Sequence, residues 1–164
     1  MKKYTAVVLG LLFSISFAST VMAAEPSSIY ADQIDYDFRN GQAVAKGNVV
    51  IKRDGGTATS KNADYNTKTG NGKLTGDVVS NKEDAKVTCQ TMNIAEQGDH
   101  ITAIGNAVLK KADKTLRASQ VEYYAKREYA ETVGDWAQFG MDDGSTIDAA
   151  YLNYSMKEGL ATGD

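Results

Sequence analysis

One cysteine, one proline and one histidine stand in 164 residues, and each scarcity removes a class of protein. The lone thiol, Cys89, cannot close an internal disulfide, so burial and hydrogen bonds must hold the chain. Cys89 falls in a column of small residues and reads as a packed side chain, not a nucleophile. His100 stands in a turn signal, QGDHI, with no partner at ligand spacing, so no metal centre and no imidazole-based catalytic pair is expected. No cofactor is expected either. Positive charge is also in deficit: 18 Lys and Arg face 21 Asp and Glu, a net charge of −3. Nucleic acid needs a concentrated basic surface and is not an expected partner. What the chain has in quantity is Gly (15) and Tyr (9), a composition for strands and turns.

The opening MKKYTAVVLGLLFSISFASTVMAA has a basic start at Lys2 and Lys3, an apolar stretch from Ala6 to Ala18, and small residues at VMAA. It reads as a secretory signal peptide, residues 1–24, cut after Ala23 or Ala24. Its apolar core is short for a bilayer span, which takes ~20 residues, and Ser14, Ser16 and Ser19 dilute it. No cysteine lies at the cut to accept a lipid. Residues 25–164 then form one domain of about 140 residues, enough for a real core.

That domain is periodic. Gly47, Gly76, Gly105, Gly134 and Gly163 are spaced 29 residues apart, and each precedes Asn or Asp. Ala31, Ser60, Cys89, Ala118 and Ala149 form a small column; Ile34, Ala63, Met92, Val121 and Leu152 an apolar one; Tyr36, Tyr65, Ile94, Tyr123 and Tyr154 a large one. Ile29, Ala58, Val87, Leu116 and Ile147 lie upstream. The last step in these columns is 31, because FGMDDGS carries two extra residues. A fixed period of this length marks a repeat architecture. Two turn signals divide each repeat. RNGQ (39–42), TGNG, EQGD and KRE mark one, and the Asn-Gly pair suits a type I′ hairpin. RDGG, NKED, KADK and GMDDGS mark the other. One repeat is therefore two strands of about ten residues in an antiparallel meander.

Apolar parity switches within every first strand, as at Val87 and Cys89 against Met92 and Ile94. Strict alternation is the rule in a strand, so a switch predicts a bulge. Each return strand carries its glycine near the centre, where glycine marks a bend. Strands that all bend midway fold the meander over on itself. The predicted fold is all-β: a bent antiparallel meander forming a V-shaped β-jellyroll or solenoid. Its interior is expected to be lined by Ile34, Tyr36, Phe38, Ala63, Tyr65, Met92, Ile94, Val121, Tyr123, Leu152 and Tyr154, with Val49, Ile51, Val78, Leu109 and Trp136 from the return strands. Val50, Val79 and Val108 have the opposite parity, which leaves the inward face after the glycine open. The final LATGD writes the start of another repeat without a polar cap. Either that edge is joined by another strand or the chain is truncated.

The units AKGNVVI and AIGNAVL, with ADQIDY and ASQVEY, resemble the OstA-like family of lipopolysaccharide transport, which includes LptA, LptC and the N-terminal domain of LptD. The resemblance spans residues 25–164 and is carried by the set of units. A cleavable leader with no further domain is most similar to the LptA branch. The resemblance implies a periplasmic location and a jellyroll whose interior takes the acyl chains of lipopolysaccharide or a related glycolipid. It also implies end-to-end strand pairing into a homo-oligomer, LptC-like and LptD-like envelope partners, and no enzymatic activity. A C-terminal tail expected of the family does not follow Asp164.

Each singled-out group has a plain structural counterpart. The inward Tyr, Ile and Met residues serve equally as core. Asn48, Asp77, Asn106 and Asp135 would stack single oxygens along one ridge, too sparse for a Ca²⁺ shell of six or more. Lys110 with Lys111, and Lys52 with Arg53, are either phosphate contacts or solvated strand ends. The reading set against the lipid carrier is a secreted structural or adhesive β-repeat with a dry core. An enzyme stands third, since the columns offer no clustered carboxylates.

Overall fold

A computed structural model describes residues 27–164; the leader expected over residues 1–24 lies outside them. The strands are β1 (Ser28–Tyr30), β2 (Gln33–Asp37), β3 (Gln42–Arg53), β4 (Gly56–Asn66), β5 (Gly72–Lys82), β6 (Ala85–Ala95), β7 (His100–Lys111), β8 (Lys114–Tyr124), β9 (Tyr129–Met141), β10 (Thr146–Ala149), β11 (Leu152–Ser155) and β12 (Leu160–Gly163). A 3₁₀ turn, Glu96–Gly98, is the only helical element among the described residues. All the strands belong to one 12-stranded antiparallel sheet, in which β3 to β9 pair in chain order. At the first edge, β1 and β2 act as two halves of one strand, both paired to β3. At the other, β10 and β11 both pair β9, and β12 pairs β11.

The expected bend is present and has a definite backbone cause. Gly47 and Asn48 (φ 76° and 47°), Gly76 and Asp77 (85° and 48°), and Gly105 and Asn106 (83° and 49°) are consecutive left-handed residues. Glycine takes that conformation freely, and Asn and Asp are the residues that tolerate it next best. The ladder is interrupted at these pairs: Lys46 pairs Asn62 and Val49 pairs Ser60, so Gly47 and Asn48 stand opposite Lys61 alone. Two residues against one is a bulge, and it sharpens the local bend. The same arrangement sets Gly76 and Asp77 opposite Gln90, and Gly105 and Asn106 opposite Ser119. Glycine is required for space as well. A Cβ on Gly76 would lie 2.8 Å from the Cβ of Lys61, and one on Gly105 would lie 2.9 Å from that of Gln90. The Asx side chains reach across the same line, Asn48 Nδ2 donating to Asp32 Oδ2 at 2.9 Å and Asp77 pairing with Lys61 at 2.6 Å.

The bulge also explains the parity rule. The two bulge residues on a return strand keep its inward set in phase, so Ala43, Ala45, Val49 and Ile51 all point inward. The single opposed residue shifts the partner, so β4 turns Ala58 and Ser60 inward, then Ala63 and Tyr65. The face after the glycine is thereby fixed: Val49, Ile51, Val78 and Leu109 are buried, and Val50, Val79 and Val108 lie on the more exposed side. Inward residues from both sides of the bend join one continuous core. The arms touch directly where the rings of Phe139 and Tyr154 meet edge-on, 4.9 Å between centroids.

Two local expectations are corrected. Phe38–Gly41 is a four-residue turn with only Gly41 left-handed, not a two-residue type I′ turn. The Asp37 carboxylate accepts from the N–H groups of Arg39 and Asn40 and from the Asn40 amide, which holds the wider turn. Paired left-handed residues of the tight kind occur instead at Asp54 and Gly55 (48° and 74°). The other correction concerns Trp136. In β9 the ladder passes from Gln120–Val133 to Ala118–Ala137, so Gly134, Asp135 and Trp136 all stand opposite Ser119. One residue more than in the earlier bulges turns Ala137 and Phe139 inward and leaves Trp136 outside, 47% exposed.

Candidate functional site

The arms meet at the crease and separate toward their free ends. There the second-arm turns, Arg53–Gly56 and Lys82–Ala85, face the first-arm turns around Gly70, Gln97–Gly98 and Ala125–Glu128. Between them lies a cavity of about 280 Å³ with an apolar floor of Ile51, Ala58, Tyr65, Val87, Ile94, Ile101, Tyr123 and Ala125. That volume sits at the small end of ligand pockets. Deeper in, Leu74, Met92, Leu116 and Leu152 are fully buried.

Polar side chains strap the lips together at two places. Arg53 Nη1 donates to Ser27 Oγ at 3.2 Å and to the Thr67 carbonyl at 3.4 Å, and Arg53 Nε pairs with Asp54 at 3.2 Å. Lys111 Nζ donates to Glu128 Oε1 at 3.1 Å and stands 3.7 Å from Asp84. Burial alone would pull both cations down. At Arg53 the Tyr65 hydroxyl and the Asp54 carboxylate outweigh it and hold the guanidinium above its ordinary value. At Lys111 the hydrogen bond it donates to Glu128 and the surrounding negative groups do the same. Both straps therefore stay charged across the physiological range. Burial raises the Tyr123 phenol, and no cluster that could hold a metal occurs among the described residues. Burial likewise pushes the Cys89 thiol up to about 11, which removes it as a thiolate.

Of the residues expected to line the interior, Val49, Ile51, Ala63, Tyr65, Val78, Met92, Leu109, Val121, Tyr123, Leu152 and Tyr154 are buried between the arms. Ile94 is half-buried against them. Ile51, Tyr65, Ile94 and Tyr123 reach the cavity. Ile34 and Tyr36 pair with the buried Ala45 and Ala43 and so share the inward face, but they sit on the edge strand β2, 39% and 37% exposed. Phe38 lies past the end of β2, 84% exposed, against the edge of Tyr36. Trp136 points away from the interior. Sequence reasoning did not place Ala58, Val87, Ile101 or Ala125 in the interior, although Ala58 and Val87 stand in the upstream column. Ile101 falls in register with Ala43, Gly72 and Ala130, a column of small residues in which a single large member was the available signal.

An apolar trough, creased along its glycine line and open on one side, defines a β-jellyroll module. The family model described as LptA/(LptD N-terminal domain) LPS transport protein matches residues 28–129. The chain belongs to this family of lipopolysaccharide-transport proteins. Among 21 matching chains of solved structures is LptH of Pseudomonas aeruginosa, described as the LptA-homologous periplasmic component of the lipopolysaccharide transport device. It is similar to this chain at 16% identity and a TM-score of 0.43, over 84% of this chain and 81% of that one. No curated protein matches the chain.

Proposed function

We propose that the chain is a periplasmic carrier module. In this reading its trough shields the acyl chains of lipopolysaccharide or a related glycolipid between inner-membrane and outer-membrane partners of LptC-like and LptD-like type. The observation that supports it most is the apolar cavity opening between two polar lips, in a chain of this transport family. An acyl chain laid along Ile51, Ile94 and Tyr123 would leave water at ~0.8 kcal/mol per CH₂, with the saccharide outside. A cavity of about 280 Å³ takes part of one chain, so a lipid with several chains requires the arms to part.

End-to-end assembly belongs to the same proposal. Among the described residues β2 pairs on one side only, and its inward-facing Ile34 and Tyr36 remain uncovered. A strand added there, from a second copy or a related partner, would extend the ladder and cover both side chains.

The fully buried residues of the deep interior favour the other reading, a structural β-repeat with a dry core, and one experiment separates the two. A photo-crosslinking amino acid at Ile94 or Tyr123, with a control on the outer face at Arg117, is irradiated in the presence of lipopolysaccharide. Adducts at the two mouth positions and none at Arg117 are expected. Adducts at Arg117 alone would overturn the acyl-chain reading and favour the dry-core one.

A further inference from the structure

The mouth of the trough is charged in a way that the apolar floor does not explain. Four cations line it: Arg53, Lys82, Lys111 and Lys126. Arg53 and Lys111 are occupied by the straps. Lys82 and Lys126 make no ion pair among the described residues, and both are exposed. They come from opposite lips. Lys82 ends β5 and opens the turn that carries Asp84; Lys126 stands in the turn that carries Glu128. Since Lys111 contacts both Asp84 and Glu128, one side chain bridges the two turns, and Lys82 and Lys126 flank that bridge. The backbone under each is fixed. Lys82 pairs with Ala85 in a tight hairpin, and the Ala125 and Lys126 N–H groups donate to the Asp99 carbonyl and carboxylate at 2.8 Å and 2.6 Å. Arg127 is directed elsewhere, over the ring of Tyr124 at 3.9 Å.

We propose that Lys82 and Lys126 form a clamp for a phosphate monoester at the mouth of the trough, the anionic head of an amphiphile whose chain lies on the floor below. The inference rests on the reading of the trough as an acyl-chain site and adds the moiety recognised there. Two ammonium groups from facing lips suit a dianion with three acceptor oxygens, each ammonium supplying point charge and rotatable donors. Glu83 opposes the clamp. It lines the same mouth, has no cation partner among the described residues, and follows Lys82 directly. Replacing it by glutamine therefore strengthens the phosphate preference.

The test uses three probes below their micelle concentrations: dodecyl phosphate, dodecyl maltoside and inorganic phosphate, titrated calorimetrically into the purified chain. Dodecyl phosphate is expected to bind about fivefold tighter than the neutral maltoside, the effect of two exposed charge pairs. The double variant Lys82→Gln/Lys126→Gln abolishes that difference and leaves maltoside binding unchanged; Lys82→Arg/Lys126→Arg retains it. Both lysines are exposed, so the variants keep the native circular dichroism. A phosphate preference that is absent, or that survives the double glutamine variant, overturns the clamp while leaving the acyl-chain reading intact. Binding of neither amphiphile overturns the acyl-chain reading itself. Inorganic phosphate bound with the same lysine dependence would make the free anion the ligand and overturn the headgroup assignment.

Discussion

Alanine in place of Gly76 tests the bend mechanism most directly. Two costs combine there. At φ 85° a residue with a side chain is strained by about 1 to 2 kcal/mol. Its Cβ would also lie 2.8 Å from the Cβ and Cδ of Lys61. The lysine Cδ can swing away, but the Cβ is fixed to the facing strand, so strands must shift; overpacking of this kind costs about 1 to 3 kcal/mol. A total near 3 kcal/mol is a large share of the ~5 to 15 kcal/mol by which a domain is stable. Gly55 supplies the control, with φ 74° and nothing within 4 Å of an added Cβ. Gly55→Ala therefore carries the backbone cost alone, about 1 kcal/mol. Urea unfolding followed by far-ultraviolet circular dichroism measures both variants, with unchanged m-values confirming that the states compared are the same. Equal losses at Gly55 and Gly76 would refute the steric half of the argument. A loss below about 0.5 kcal/mol at Gly76 would refute the whole of it, since the backbone cost alone exceeds that.

Met92, fully buried between the arms, loses about 2 to 5 kcal/mol on truncation to alanine, read in the same urea titration. Cys89 resists aromatic disulfide reagents at pH 8 in the native chain and reacts at once in urea, because burial holds its thiol near 11. The folded state binds that proton more tightly than the unfolded one, so Cys89 contributes stability that is complete below pH 9 and is lost as pH rises toward 11; Cys89→Ala flattens the stability curve over that window. Ile34→Glu puts a charge on the inward row of the β2 edge and lowers any concentration-dependent association seen by light scattering, without altering the unfolding free energy from urea titration by more than about 0.5 kcal/mol.

The sequence was most legible where each repeat obeyed the same local rule. Glycine followed by Asn or Asp, with a parity switch on the neighbouring strand, specifies a two-against-one bulge, and three repeats in the structure build it identically. Most of the interior follows from that rule, because strand parity carries Tyr65, Val78, Met92 and Val121 inward without further information. The failures have local causes. Trp136 occupies the same offset after its glycine as Val49 and Val78, but Gly134 has φ 132° and Asp135 is not left-handed, so β9 spends one more residue in its bulge. Composition does not reveal that difference. Strand parity extends to Phe38, past the point where the Asp37 carboxylate ends the strand. The mouth was least legible. Its floor includes Ile101 and Ala125, and its lips bring together side chains as far apart in the chain as Arg53 and Glu128. Such proximity depends on the opening between the arms, which no single repeat encodes.

The Gly-Asx pairs lie one above another, each at a gap in the hydrogen-bond ladder, so the sheet carries something like the spine of a book. Turning the covers about that spine breaks no interstrand bond within either cover. Resistance to gaping then comes from the packed side chains and the two clasps at the fore-edge, Arg53 to Thr67 and Lys111 to Glu128. The width of the opening can therefore change by the angle alone, with every strand keeping its neighbours.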